Sequence, residues 1–112
     1  WIQFADSQLN VIAGNYIGLA SNGIDALGNK ECGVRIDQGA SNNIVGGAAE
    51  GCRNYIAGNT QFGVQFIGGG TSNNTVQGNT IGKNTNGDVK KNDLGWQADP
   101  NSLNNWMNND HD

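Results

Sequence analysis

The chain has 112 residues, enough for at most one domain around one core. Nineteen Asn and eighteen Gly make up a third of the sequence, and only 14% of the residues are charged. The net charge of −4, with six scattered basic residues, excludes the basic clusters that bind nucleic acid. No apolar run approaches the roughly 18 residues of a membrane span.

The first repeated motif follows an apolar alternation at residues 1–4. NVIAGNYIG, which starts at Asn10, returns as NTVQGNTIG, which starts at Asn74. At this offset, seven of the fourteen positions from Asn10 to Gly23 are identical. An internal repeat of this kind is typical of a solenoid, in which each repeat packs only against its neighbours.

Shorter offsets suggest the length of one coil. GNKECGV at Gly28 returns as GNTQFGV at Gly58, and the motif SNN recurs at a similar spacing. NYIAGN at Asn54 returns sooner, as NTVQGN at Asn74. We reconcile these offsets with a coil of roughly 20–22 residues, three coils making the 64-residue superperiod. Coils are then expected to begin near Asn10, Cys32, Asn54 and Asn74.

Short segments of strand composition alternate with Gly and Asn along these coils. They are residues 11–13, 34–36, 55–57, 64–67 and 75–77. No helix is expected before residue 92, because no ten-residue window free of Gly and Asn carries a 3.6-residue apolar period.

Asn and Gly are the residues that tight corners need. Gly enters left-handed backbone freely, and Asn tolerates it best among the other residues. Equivalent residues of stacked coils lie about 4.8 Å apart, so Asn side chains can hydrogen-bond from coil to coil as a ladder. The candidate ladder corners are Asn42, Asn43, Asn73 and Asn74.

The core of a thin coil is narrow, so its inward positions should be apolar and compact. We expect one inward column, formed by Ile12, Val34, Ile56 and Val76. The other residues predicted to point inward are Ile17, Ile36, Val64, Phe66 and Ile81.

The pattern Asn-x-Ile/Val-x-Gly-Asn-x-Ile-Gly, with Gly-Val-x-Ile/Phe and Ser-Asn-Asn between its copies, resembles a known repeat family. These are the right-handed parallel β-helix repeats of large secreted and surface bacterial proteins. The resemblance covers about residues 8–92 and implies an all-β fold, a right-handed parallel β-solenoid of about four coils. Such repeats occur in adhesins, fibres, tailspikes and polysaccharide lyases alike, so the resemblance specifies a fold and not a function.

The chain changes character after residue 93. We therefore divide it into solenoid coils at residues 1–93 and a Trp-, Asn- and Asp-rich tail at residues 94–112. Asp99 and Pro100 have the order of a helix N-cap and first turn. Leu103, Trp106 and Met107 share helical spacing, so the tail is predicted to form a short helix near 100–108; a frayed tail is the alternative.

The two ends of a solenoid expose unpaired backbone groups that need a cap or a neighbour. Aromatic and apolar residues at the termini can serve either purpose, as caps or as contacts between stacked molecules, and we favour the contacts. These residues are Trp1, Phe4, Trp96, Leu103, Trp106 and Met107.

Few residues carry reactive chemistry. Cys32 and Cys52 precede predicted strands at one corner of neighbouring coils, which makes them a disulfide candidate; two separate thiols are the alternative. Arg35 and Asp37 share one face of a strand and are expected to form a solvated surface pair rather than a catalytic one. The Asn- and Asp-containing segment at residues 84–88 has too few acids for a full set of calcium ligands.

These observations predict a non-enzymatic structural β-solenoid outside the cell or at its surface. It is expected to stack end to end with itself into a fibre, or to pack against neighbouring repeats of a longer chain. The alternatives are a carbohydrate-binding or polysaccharide-lyase-like β-helix fragment and an adhesin stalk. No cofactor and no metal are expected.

Overall fold

The computed structural model describes residues 1–90, 96–98 and 103–111, and this part of the chain forms twelve short β-strands. A single 3₁₀ turn at Glu50–Cys52 is the only helical segment within these residues. The strands are β1 (Ile2–Gln3), β2 (Val11–Ile12), β3 (Tyr16–Ile17), β4 (Val34–Asp37), β5 (Ile44–Gly46), β6 (Tyr55–Ile56), β7 (Val64–Ile67), β8 (Ser72–Gln77), β9 (Thr80–Ile81), β10 (Trp96–Ala98), β11 (Leu103–Met107) and β12 (Asp110–His111).

The strands form three parallel sheets of four strands each. Their orders are β1-β4-β7-β10, β2-β5-β8-β11 and β3-β6-β9-β12, so each pass of the chain adds one strand to every sheet. The chain therefore winds as a parallel β-solenoid with four passes, or about three complete turns, and the predicted all-β fold is confirmed.

Each coil contains more residues than predicted. Val64 lies opposite Val34, whereas Tyr55 lies between Tyr16 and Thr80 as their register partner. The chain thus takes about 25 to 39 residues to complete one coil, depending on the corner. The predicted coil length is wrong, and so are the predicted coil starts. The 64-residue superperiod is two coils, not three.

The core lies between the three sheets and is filled by inward columns of side chains from all three. Val34, Ile56 and Val76 are buried as predicted, and Ile12 packs half-buried against them. They do not form one column, because Ile12 and Val76 belong to the second sheet while Val34 and Ile56 belong to the first and the third. The second sheet's column is Ile12, Val45, Val76 and Trp106.

The remaining inward predictions are confirmed. Ile36, Val64, Phe66 and Ile81 are buried, and Ile17 is partly buried against the same core. The stacking is close enough that some glycines cannot be replaced. A Cβ on Gly46, at φ +94°, would lie 2.0 Å from the carbonyl oxygen of Gln77 in the next coil.

Coils one and three carry an extra hairpin at the corner between the third and first sheets. Antiparallel bridges join Leu19 with Ala26 in the first hairpin and Lys83 with Val89 in the second. The two hairpins touch across the shorter corner of coil two, where the Thr85 amide donates to the Gly23 carbonyl at 2.9 Å. This contact explains why the sequence repeats most clearly every second coil.

The described residues after position 93, at 96–98 and 103–111, continue the solenoid. β10, β11 and β12 extend the three sheets as a fourth coil, with Trp106 opposite Val76 and Asp110 opposite Thr80. The predicted helix is wrong for residues 103–107, and residues 99–102 lie outside the described residues. The open edge of coil three offers hydrogen-bond partners to the backbone of this Asn-rich segment. That pairing outweighs the helical preference indicated by three apolar residues at helical spacing.

Substitution of the core should be far more costly than the same substitution at the surface. Ile56 is fully buried, so Ile56→Ala should lower the free energy of unfolding by about 2–5 kcal/mol. Ile24, on the first hairpin, is 36% exposed, and Ile24→Ala should change it by no more than about 0.5 kcal/mol. Urea titration followed by circular dichroism measures both, and similar losses would contradict the described core.

Candidate functional site at the ends of the solenoid

A ladder of Asn side chains runs the length of the solenoid at the corner before the second sheet. The Asn10 backbone N–H and side-chain Nδ2 both donate to Asn43 Oδ1, at 3.0 and 2.9 Å. Asn43 donates in the same way to Asn74, and Asn74 to Asn104. Asn43 and Asn74 are therefore ladder corners, as predicted.

The neighbouring residues Asn42 and Asn73 have a different task. Both have a φ of +57°, in the left-handed region that Asn tolerates, and both side chains are exposed. They turn the backbone so that the next residue points its side chain into the ladder.

A second ladder, at the corner before the third sheet, was not predicted. It runs Asn15, Asn54, Asn79 and Asn109, with donor–acceptor distances between 2.9 and 3.2 Å. A shorter third ladder joins Asn29 to Asn59. The motif NVIAGN could have indicated the second ladder, because its two Asn residues are five positions apart and occupy successive corners of one coil.

The second Nδ2 hydrogen of most ladder residues bonds backwards. Asn74 Nδ2 donates to the Ala40 carbonyl and Asn79 Nδ2 to the Val45 carbonyl, at 3.0 and 2.9 Å. Each interior residue of the two long ladders thus donates forward twice, accepts twice and uses its other Nδ2 hydrogen on a backbone carbonyl, which Asn43 shares between Ser7 and Ser41. Because these side chains are buried, this full set of partners is what makes their burial tolerable.

We call the first coil the head and the last described coil, which contains β10, β11 and β12, the tail; from here on, tail means this coil and not the whole segment 94–112. The head exposes β1, β2 and β3 as the outer edges of the three sheets, and the tail exposes β10, β11 and β12. No described residue covers either outer edge with another strand. Both ends therefore present unpaired strand edges.

The predicted contact residues divide between these ends. At the head, the side chains of Trp1 and Phe4 are largely exposed. At the tail, Trp96 and Leu103 take register positions opposite Val64 and Ser72. Trp106 packs against the core, and Met107 is exposed beside Gln77 on the edge strand.

Trp1 also covers a buried carboxylate. Its Nε1 donates to Asp37 Oδ1 at 3.1 Å, and Arg35 Nε donates to Asp37 Oδ2 at 2.8 Å. The Arg35 guanidinium lies 4.7 Å from the centre of a Trp1 ring. The prediction of a solvated pair is wrong for Asp37, whose side chain is only 1% exposed because Trp1 lies over it.

An open cleft of about 490 Å³ lies beside this cluster. Trp1 and Arg35 form one part of its lining, and the corner that precedes β4 forms the rest. The corner residues are Asn29, Lys30, Glu31, Cys32 and Gly33.

The predicted disulfide is absent between the described cysteines. Cys32 lies before β4 in the first sheet, and its Sγ is 3.1 Å from Gln65 Oε1. Cys52 lies before β6 in the third sheet, close to Gly47. The two residues therefore occupy different corners, because the short coil that would have aligned them does not exist.

The segment at residues 84–88 is a hairpin turn. Asn84 Oδ1 accepts from the amides of Asn86 and Asp88, and its Nδ2 donates to Ile24. No three His, Cys, Asp or Glu side chains converge as metal ligands within the described ranges. None of the helical segments in this part of the chain has the length and apolarity needed to span a membrane.

Breaking a ladder should destabilise the fold more than changing the residue beside it. Asn74→Ala removes the shared acceptor of two Asn43 donors in the core, and we expect a loss of about 3 kcal/mol or more in the free energy of unfolding. Asn73→Gly keeps the left-handed backbone and should cost less than about 0.5 kcal/mol. Thermal unfolding measures both variants, and equal losses in the free energy of unfolding would show that the ladder hydrogen bonds do not stabilise the fold.

No protein-family model, curated protein or solved structure matches this chain.

Proposed function

We propose that this protein is a non-enzymatic structural β-solenoid that assembles end to end into a fibre, outside the cell or at its surface. The observation that carries the proposal is that the head and the tail each present three edge strands whose outer sides pair with no other described strand. Such edges are templates for pairing with another chain unless something covers them. In a solenoid, the natural partner for an open coil is another coil.

The apolar surface of the head supports this proposal. Trp1 is 72% exposed, and Phe4, Leu9 and Val11 are also exposed on the first coil. Ile2, Ile12 and Ile17 are the first members of the inward columns and are only partly buried. Stacking a further coil on the head would bury these columns, and apolar burial stabilises by about 25 cal/mol per Å².

The Arg35–Asp37 pair favours a structural role over a catalytic one. Both carboxylate oxygens of Asp37 accept hydrogen bonds, one from Trp1 and one from Arg35. A general base needs an oxygen that can reach a substrate proton. The extracellular setting is proposed from the resemblance of the repeats to those of secreted and surface proteins.

Purified protein should form filaments as its concentration rises. Negative-stain electron microscopy should show unbranched filaments, and fibre diffraction should show a spacing of about 4.8 Å between coils. Ile12→Lys, which places a charge on the open inward column, should abolish the filaments.

The matched control for that variant is Val11→Lys. Val11 is the adjacent residue, but it faces outward and is 63% exposed, so its replacement should leave filaments intact. Circular dichroism of both variants checks that the solenoid is folded. Monodisperse wild-type particles at every concentration would refute end-to-end assembly.

A second candidate function, carbohydrate binding, is favoured by the cleft beside Trp1. An exposed aromatic ring next to donors and acceptors from Asn29, Lys30, Glu31 and Arg35 suits the faces and hydroxyls of a sugar. Lys30 supplies a cation for the carboxylate of an acidic sugar such as galacturonate, whereas Arg35 is already paired with Asp37.

Titration calorimetry with oligogalacturonate should then detect binding, and Trp1→Ala should reduce the affinity at least tenfold. Phe4→Ala provides the control, because Phe4 is an exposed aromatic residue of the same end that does not line the cleft. Absence of heat with the wild-type chain, or equal affinity in the Trp1 variant, would eliminate this cleft as a sugar site.

A further inference from the structure

We infer that both full-length Asn ladders continue across the junction between two copies, so that assembly has one polarity and one register. In this junction, Asn104 of one copy donates to Asn10 of the next, and Asn109 donates to Asn15. The inference rests on the proposed end-to-end assembly and specifies its partner as a second copy of this chain.

The ladders are directional within the chain. At each of their six steps, the backbone N–H and the Nδ2 of one Asn donate to the Oδ1 of the Asn in the following coil. The donor–acceptor distances stay between 2.8 and 3.2 Å. Donors therefore face the tail at every step, and acceptors face the head.

The same rule makes the two ends complementary. At the head, Asn10 Oδ1 and Asn15 Oδ1 accept no hydrogen bond from any described residue. A ladder oxygen accepts its two hydrogen bonds from the preceding coil, and these two residues lie in the first described coil. At the tail, Asn104 and Asn109 each direct one Nδ2 hydrogen backwards, to the carbonyls of Thr71 and Val76. Their forward donors point towards a coil that follows.

Only one of the three ways to join two ends satisfies these groups. Tail to head matches two donor pairs with two acceptors. Head to head would bring Oδ1 against Oδ1, and tail to tail would bring donors against donors, both with groups left unpaired at a desolvated contact. Because a tail-to-head contact is heterologous and adds a translation at every step, it produces an open filament instead of a closed ring.

The inward column of the second sheet agrees with this register. Trp106 follows Val76 in that column, and the next position along the axis is Ile12 of the following copy. Trp106 and Ile12 are both only partly buried in the single chain. Joining them would continue an apolar column that is otherwise interrupted.

Blocking one end at a time tests the polarity. Asn104→Asp with Asn109→Asp keeps the Oδ1 acceptors within the chain and replaces the outward Nδ2 donors at the tail. It also removes the backward bonds to the carbonyls of Thr71 and Val76, so circular dichroism must first show that the variant is folded. Asn10→Ala with Asn15→Ala removes the outward acceptors at the head. Each double variant alone should be monomeric in sedimentation velocity, whereas a 1:1 mixture should form a heterodimer and nothing larger.

The control for the tail variant is Asn105→Asp with Asn108→Asp. These neighbours lie at the same end, are exposed and add the same charge, but stand outside both ladders, so filaments should persist. Filaments formed by either blocked variant would overturn the register while leaving end-to-end assembly intact. A wild-type chain that stays monomeric would overturn assembly and this junction together.

Cross-linking provides a second test that leaves the ladders untouched. Val11, Ile44, Thr75 and Asn105 are register partners on the outer face of the second sheet, so Asn105 should lie beside Val11 of the next copy. In a chain with Cys32→Ser and Cys52→Ser, Val11→Cys with Asn105→Cys should form intermolecular disulfides on mild oxidation. Non-reducing electrophoresis should then show a series of oligomers.

Leu9→Cys with Asn105→Cys is the out-of-register control. Leu9 is also exposed but is two residues away from Val11, beyond the Cα separation that a disulfide spans. Oligomers of equal yield from the two pairs, or from the Leu9 pair alone, would contradict the inferred register.

Discussion

The corner hydrogen bond between Asn residues of successive coils is the interaction on which the rest of the structure depends. A coil that turns three times in about thirty residues leaves backbone amides at buried corners, and each needs a partner. The ladder Asn supplies an acceptor for the amide of the preceding coil, and its own Nδ2 donates in both directions. Asn43, Asn54, Asn74 and Asn79 are fully buried and satisfied in this way. The coils can then stack in register around the apolar core.

The same interaction explains why the ends of the molecule are reactive. A ladder is periodic, so every interior coil is satisfied by its neighbours and only the outermost coils are not. Among the described residues, no donor reaches the ladder oxygens of the head, and no acceptor reaches the forward ladder amides of the tail. This difference in chemistry gives the solenoid a polarity that a plain sheet edge, with alternating donors and acceptors, would not have. The assembly we propose follows from that polarity.

The sequence predicted the class of the fold and most of its core, but not the length of a coil. Several features of the chain led to a predicted coil length that was too short. The motif NxIxGN occurs at successive corners of one coil, so the match between Asn54 and Asn74 relates two different ladders and its spacing is no coil length. The hairpin of coil one lengthens one corner, and the 3₁₀ turn at Glu50–Cys52 lengthens another. The hairpins of coils one and three touch, which made a two-coil distance the strongest repeat.

The burial of Asp37 beneath Trp1 could not be predicted from the sequence, because only the folded coil brings Trp1 to it.

Methyl-to-methyl nuclear Overhauser effects in the protein test the stacked arrangement most directly. We expect contacts along the third sheet, from Ile17 to Ile56 and from Ile56 to Ile81. A separate series of contacts should run from Ile12 through Val45 to Val76. A single chain of contacts through Ile12, Val34, Ile56 and Val76 would contradict it, because those residues meet only if one coil holds about twenty residues.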